Sequence, residues 1–191
     1  MYKSLFVILA LIVGTVANAA NPTVEIKTNQ GAMTLELYPD KAPESVKNFL
    51  GYAKSGFYDG TIFHRVIDGF MIQGGGFDTA FKQKPTQAPI KNEADNGLKN
   101  VVYSVAMART GDPHSATAQF FINVADNAFL DFRAPNVRGY GYAVFGKVIK
   151  GQDVAAKIAK LKTGASGPFD SDVPRTAVVL EKVTVVDPAK P

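Results

Sequence analysis

The chain has 191 residues and no cysteine. Disulfides are therefore impossible, and thiol catalysis and cysteine-ligated metals are excluded. Histidine is scarce: His64 and His114 are the only two, far apart and in different surroundings. The carboxylates show no ligand spacing around them, so no metal and no cofactor is expected. The net charge is only +4, with no basic run and no arginine-rich helix. That argues against nucleic acid as a partner. Internal repeats and low-complexity linkers are lacking, and no apolar run reaches the ~20 residues that a membrane-spanning helix needs.

One apolar run does exist, at the very start. Met1-Tyr2-Lys3 is a short basic opening, Leu5 to Val13 is unbroken apolar sequence, and Ala17-Asn18-Ala19 has the small-x-small pattern of a secretory cleavage site. Residues 1–19 are therefore expected to be a cleaved signal peptide rather than an anchor. With no cysteine after the run, a lipid-modified N-terminus is excluded. Residues 20–191 then form one domain, large enough to bury a core without disulfides. The tail from Asp187 to Pro191 reads as frayed.

Polarity alternates over Val24–Lys27 and Met33–Leu37 around Thr28-Asn29-Gln30-Gly31, which predicts a β-hairpin. Pro43-Glu44-Ser45 opens a helix in which Val46, Phe49, Leu50 and Ala53 make one apolar stripe, and Gly56 stops it. Short β-branched and aromatic runs predict strands at Thr61–Val66, Phe70–Gln73, Val101–Ala106, Phe120–Val124, Ala143–Val148 and Val178–Val185. A second helix is predicted over Gln152–Leu161, with Val154, Ile158 and Leu161 on one face. Long loops remain at Phe77–Asn100 and Thr110–Ala118. Many strands without a βαβ rhythm point to a mainly β, closed antiparallel barrel, with the two helices plugging its open ends.

Three segments are too specific for a generic barrel. The first is Phe63-His64-Arg65 through Phe70-Met71-Ile72-Gln73-Gly74-Gly75. The second is Met107-Ala108-Arg109 leading to Ala118-Gln119-Phe120-Phe121-Ile122-Asn123. The third is Phe129-Leu130-Asp131 with Tyr142-Ala143-Val144-Phe145-Gly146-Lys147-Val148. Together, over about Val24 to Val186, they resemble the cyclophilins, the cyclosporin-binding class of peptidyl-prolyl isomerases. Met-Ala-Arg-Thr and Asn-Val-Ala-Asp-Asn-Ala-Phe-Leu-Asp are similar to the exported bacterial members. The resemblance implies an eight-stranded antiparallel barrel capped by two helices, with an exterior groove for Xaa-Pro peptides. It places the catalytic pair on Arg65 and Gln73 and the proline pocket on Phe70, Met71, Phe121 and Leu130. Ala108, Arg109 and Gln119 match positions that hold the peptide backbone. Phe129 stands where many members have tryptophan, which removes an indole N–H and implies weak cyclosporin binding. Tyr142 stands where many have histidine and keeps an aromatic wall. Arg109 replaces a common asparagine. A periplasmic monomer acting on flexible proline-containing polypeptides is expected, without stable membrane association after cleavage.

These residue types suit that chemistry independently. An amide resists rotation because its C–N bond is partly double. In the twisted transition state the prolyl nitrogen regains a lone pair and becomes a hydrogen-bond acceptor. A guanidinium aimed at it, or at the neighbouring proline carbonyl, binds that state preferentially. Other readings exist. Arg65 could be structural, pairing with Asp68. His64 reads as a satisfied packing residue and His114 as an exposed loop residue. Phe63, Phe120 and Phe145 read as core, and Phe120 and Phe121 must face opposite sides of a strand. Gly74-Gly75-Gly76 lacks the lysine of a phosphate loop and reads as a site of close backbone approach. A proline-peptide-binding chaperone without turnover, or a barrel carrying a small ligand in its interior, are the competing functions.

Overall fold

The structure is a computed structural model and describes residues 20–186. The apolar leader and the tail after Val186 lie outside the described residues. The elements run β1 (Thr23–Thr28), β2 (Gly31–Leu37), α1 (Pro43–Lys54), β3 (Thr61–Ile67), β4 (Met71–Asp78), β5 (Ser104–Met107), β6 (Phe120–Asn123), β7 (Val144–Lys150), α2 (Gln152–Ala159), β8 (Thr163–Ser166), β9 (Phe169–Pro174) and β10 (Leu180–Val186). Single 3-10 turns sit at Ala94–Asn96 and Ala128–Leu130.

Eight strands form one sheet in the order β10-β1-β2-β7-β5-β6-β4-β3. The sheet is open and strongly curled, a correction to the closed barrel expected from the sequence. Its two end strands, β10 and β3, share no ladder. They meet at one bridge, Ile62 with Val179, supported by bonds from the Gly60 and Phe63 amides to the Leu180 and Val178 carbonyls. The reason is a second, two-stranded sheet, β8–β9, which packs along the rest of β3. That hairpin carries little apolar alternation and was not expected.

The core fills the inside of the curl. Val24, Ile26, Met33, Leu35, Phe63, Ile72, Phe120, Ile122 and Phe145 all point into it. Helix α1 inserts Phe49, whose ring lies 5.1–5.3 Å from those of Tyr58, Phe120 and Phe145. Pro43 and Glu44 occupy its first turn as anticipated. The cap itself comes from Glu93 in the long loop, whose carboxylate accepts from the Glu44 and Ser45 amides at 3.0 and 2.8 Å. Helix α2 buries Ala155, Ile158 and Ala159, with Val154 and Leu161 half-buried at its edge. The β1–β2 turn needs Gly31: φ is +135°, and a Cβ there would lie 2.7 Å from Val154 Cγ2.

The β8–β9 hairpin is anchored by aromatic contact. The Phe169 ring stacks on His64 at 5.3 Å and meets Phe77 edge-on at 5.2 Å. His64 is buried there, so it is a packing residue, but not a satisfied one: Nδ1 has no hydrogen-bond partner. Burial drives its pKa down to about 4, helped by the charge of Arg65 and opposed by the Ile62 carbonyl. His114 is exposed as expected, yet its Nδ1 accepts from the Asn92 amide at 3.2 Å and its ring meets Tyr140 at 4.8 Å.

Two outcomes follow from this packing. Gly31→Ala should cost about 1–3 kcal/mol in denaturant unfolding, and Val154→Ala in the same chain should recover only the steric part, leaving the φ strain. Below pH ~6.5 the unfolded chain takes up a proton that folded His64 refuses until about pH 4. Stability should therefore fall by up to roughly 3 kcal/mol as pH drops through that window. His64→Phe should show a correspondingly shallower loss in unfolding titrations at pH 7 and pH 4.5.

Candidate active site

The site is built on the outward face of the same strands that enclose the core. Strand register places Arg65 on β3 beside Gln73 on β4, Gln73 beside Phe121 on β6, and Phe121 beside Ala106 on β5. Directly paired residues share a face, so this rung is one outward row. The adjacent rung of Ile72, Ile122 and Val105 points into the core. Phe120 and Phe121 therefore divide as strand geometry demands, Phe120 into the core and Phe121 onto the outer face.

Simple alternation would put Arg65 on the same side as Phe63, which lies in the core. A bulge at His64 prevents this. Phe63 pairs with Gly74 and Arg65 with Gln73, so β3 spends one extra residue between those pairs. The phase of the strand flips, and Arg65 emerges outward.

Outside the rung, a second apolar cluster gathers Met71, Ala106, Ala108, Phe121, Leu130 and Val144, with Phe70 and Tyr142 at its margin. It encloses a depression of about 120 Å³ lined by Arg65, Phe70, Met71, Gln73, Ala108, Arg109, Phe121, Leu130 and Tyr142. All but two of the residues singled out in the sequence thus meet in one concavity. Gln119 lies in an adjoining depression of about 210 Å³ with the polar residues Gln83, Thr110, Ser115 and Thr117. It accepts a 2.9 Å bond from Gln73 Nε2, which ties the two depressions together. Its side chain crosses Gly76 where a Cβ would come within 2.5 Å of Cγ, the close approach expected of the glycine run. Phe129 is outside the depression and 61% exposed, stacked on Phe70 at 5.5 Å.

The fold holds the two arginines of the groove differently. Arg65 does not pair with Asp68, which Lys160 holds at 2.9 Å. Its guanidinium is half-exposed and, among the described residues, has only a loose ionic contact, Nε to Asp172 at 3.9 Å. Arg109 is tied to the fold through two of its donors and its ring contact: Nε donates to the Gly141 carbonyl at 2.9 Å, Nη1 to the Thr110 carbonyl at 2.8 Å, and Cζ lies 4.5 Å from the Tyr142 ring centre. It braces Tyr142, which in turn meets Phe121 edge-on at 5.7 Å. Of the two arginines in the groove, Arg109 is held by two hydrogen bonds, whereas Arg65 has only the loose contact with Asp172 among the described residues. The Ala108 amide donates to the Gln119 carbonyl at 3.0 Å, so a peptide can use only its carbonyl.

A polar network missed in the sequence holds the outer wall. Asn127 Nδ2 donates to the Phe70 carbonyl at 2.9 Å and to Asn123 Oδ1 at 2.7 Å, and Asn123 Nδ2 donates to Asn100 and Ser104. Asn100 donates from its backbone and side chain to Asp131, and the Tyr142 amide donates to the Leu130 carbonyl at 2.9 Å. Buried and mutually satisfied, these groups fix the 3-10 turn that presents Leu130. Their only sequence signal was the crowding of Asn and Asp just after a strand.

Comparison with known proteins agrees with this arrangement. The sequence profile described as cyclophilin-type peptidyl-prolyl cis-trans isomerase matches residues 23–185. The chain is 58% identical to peptidyl-prolyl cis-trans isomerase B of Escherichia coli (strain K12), over 85% of this chain and 98% of that protein. It is 53% identical to a peptidyl-prolyl cis-trans isomerase of Acinetobacter baylyi, over 97% of this chain and 96% of that one. Among solved structures, a cyclophilin-type isomerase of Cryptosporidium parvum superposes with a TM-score of 0.70 at 27% identity, covering 90% of this chain and 99% of its own. The same protein crystallised in the presence of the dipeptide Ala-Pro gives 0.68 at 27% identity, covering 86% and 98%. Sequence, fold and the outward groove lead to one statement: this chain belongs to the cyclophilin-type peptidyl-prolyl cis-trans isomerases.

Proposed function

We propose that Arg65 and the outer apolar cluster accelerate rotation about Xaa-Pro bonds in exported polypeptides, and so assist their folding. One observation carries the assignment. The row Arg65–Gln73–Phe121 places a guanidinium free of close ion pairing directly beside an apolar notch.

The prolyl ring sits against Phe121, Met71 and Leu130, with Phe70 closing the side and Tyr142 the end. Arg65 donates to the proline carbonyl or to the prolyl nitrogen as its lone pair develops. That interaction is stronger in the twisted amide than in the planar one, so it lowers the barrier rather than only improving binding. The low polarity of the notch also favours the less charge-separated, twisted form. Gln73, held by Gln119, keeps its own carbonyl oxygen as an acceptor beside the arginine. The adjoining polar depression takes the flanking backbone. The reaction needs no nucleophile, no net proton transfer and no cofactor.

The required effect is modest. A thousandfold acceleration corresponds to ~4 kcal/mol, within reach of one charge-assisted hydrogen bond that strengthens on twisting plus its dry surroundings. The basic opening, the apolar run and Ala17-Asn18-Ala19 support export, with a periplasmic location and cleavage after Ala19. The domain acts as a monomer on flexible proline-containing chains, and Phe129, lacking an indole N–H, makes tight cyclosporin binding unexpected.

In a proline-isomer exchange assay, Arg65→Ala should lower kcat/KM by about 30- to 300-fold, or ~2–3.5 kcal/mol. A wild-type rate in that variant would remove Arg65 from the mechanism. Wild type that broadens no peptide NMR signals by exchange would show a binding chaperone instead. Phe121→Ala should act mainly on peptide affinity, raising KM about tenfold, since it removes contact made in both ground and transition states. The mass of the protein recovered from the periplasmic fraction should begin at Ala20.

A further inference from the structure

We infer that Asp172, carried by the β8–β9 hairpin, is a positioning residue that orients the Arg65 guanidinium; this rests on Arg65 being the group that acts on the amide. The contact is Asp172 Oδ2 to Arg65 Nε at 3.9 Å, with the two side chains 35% and 44% exposed. Among the described residues it is the one carboxylate paired with Arg65, because Asp68 is engaged by Lys160.

The backbone at Asp172 is unusual. Its φ is +65°, and among the described residues only Phe81 and Tyr103 share a positive value without being glycine. Aspartate tolerates that conformation better than most residues, but it still costs stability. The hairpin is nonetheless firmly seated. Phe169 lies among His64, Phe77 and Phe81, Val173 is buried, and the Arg175 amide donates to the Lys162 carbonyl at 2.9 Å. A packed hairpin holding a carboxylate at positive φ against a half-exposed cation is a device for aiming.

The choice of nitrogen matters. A carboxylate on the Nε side leaves both Nη groups of the planar fork uncommitted, on a side chain that lines the notch. Without it, a long side chain on a half-exposed strand position samples many rotamers, and few of them reach the amide. The nearby His64 adds no competing charge, since burial keeps it neutral above about pH 4.

The test uses the full chain and Xaa-Pro exchange kinetics. Asp172→Asn keeps the shape and the tolerance for positive φ while removing the charge. It should lower kcat/KM three- to tenfold, with the dissociation constant of a proline peptide unchanged within twofold. The gap between wild type and variant should shrink in 1 M salt, because a half-exposed pair is screened. Asp172→Gly should be equally slow yet melt at the same or a higher temperature, since glycine relieves the φ strain; a merely structural aspartate would not separate those two readouts. In an Arg65→Ala background, Asp172→Asn should change nothing further. Wild-type or faster kcat/KM in both Asp172 variants, or an equal loss in the Arg65→Ala background, overturns the inference. If Arg65→Ala itself is as fast as wild type, the reading of the site fails first, and the two failures are told apart.

Discussion

Everything at this site depends on one sheet having apolar residues on both faces across β4, β5 and β6. Inward, Ile72, Phe120, Ile122 and Val105 fill the core. Outward, Met71, Phe121 and Ala106 would face water. A second sheet could have covered them and closed the surface. Instead, single turns and loops do so, held by backbone bonds and the asparagine network. Such a cover is incomplete by construction, and its gap is the notch. The notch is thus an unfinished second core, and in the proposed function its missing piece is a proline ring.

The electrostatic design follows from the same geometry. A guanidinium buried in that cluster would pay a desolvation cost that no nearby carboxylate repays. Fully in water, its field would be screened and worth little. Arg65 stands between, half-exposed at the rim. In the proposed function, a peptide settling into the notch would displace water from the cation as the amide is gripped. The interaction would then strengthen where rotation occurs, and the free protein would not bear the cost beforehand. Arg109 shows the contrast. Two of its donors are held by the Gly141 and Thr110 carbonyls and its plane by Tyr142, so the fold fixes it in place as part of the wall.

Much of this was legible in the residues. Alternation placed β1, β2 and the inner half of β6, and the i, i+3, i+4 stripe placed α1. The adjacency of Phe120 and Phe121 required one ring on each face. Other features were hidden for physical reasons. The β8–β9 hairpin, Thr-Gly-Ala-Ser and Phe-Asp-Ser-Asp-Val-Pro, lacks the apolar period that marks a strand, because it packs through one ring, Phe169, and is otherwise solvent-facing. The bulge at His64 follows from pairing with β4 and is invisible in β3 alone, yet without it the phase of Arg65 comes out wrong. Arg109 and Phe129 sat in the right motifs, but whether a side chain lines a groove or stands beside it depends on which backbone carbonyls surround it.

The open sheet and the arginine's surroundings have a common cause. An edge strand such as β3 must be protected, or it invites another chain to pair with it. Closing the sheet by extending the β10 ladder would protect it, but would set a regular strand, with side chains alternating strictly in and out, against His64 and Arg65. The hairpin protects the same edge with an independent element, free to bring a large ring against His64 and a carboxylate against Arg65. Leaving the seam to a single bridge at Ile62 and Val179 thus gives up ladder hydrogen bonds. What it gains is an edge whose cover can be shaped residue by residue beside Arg65 at the rim of the groove.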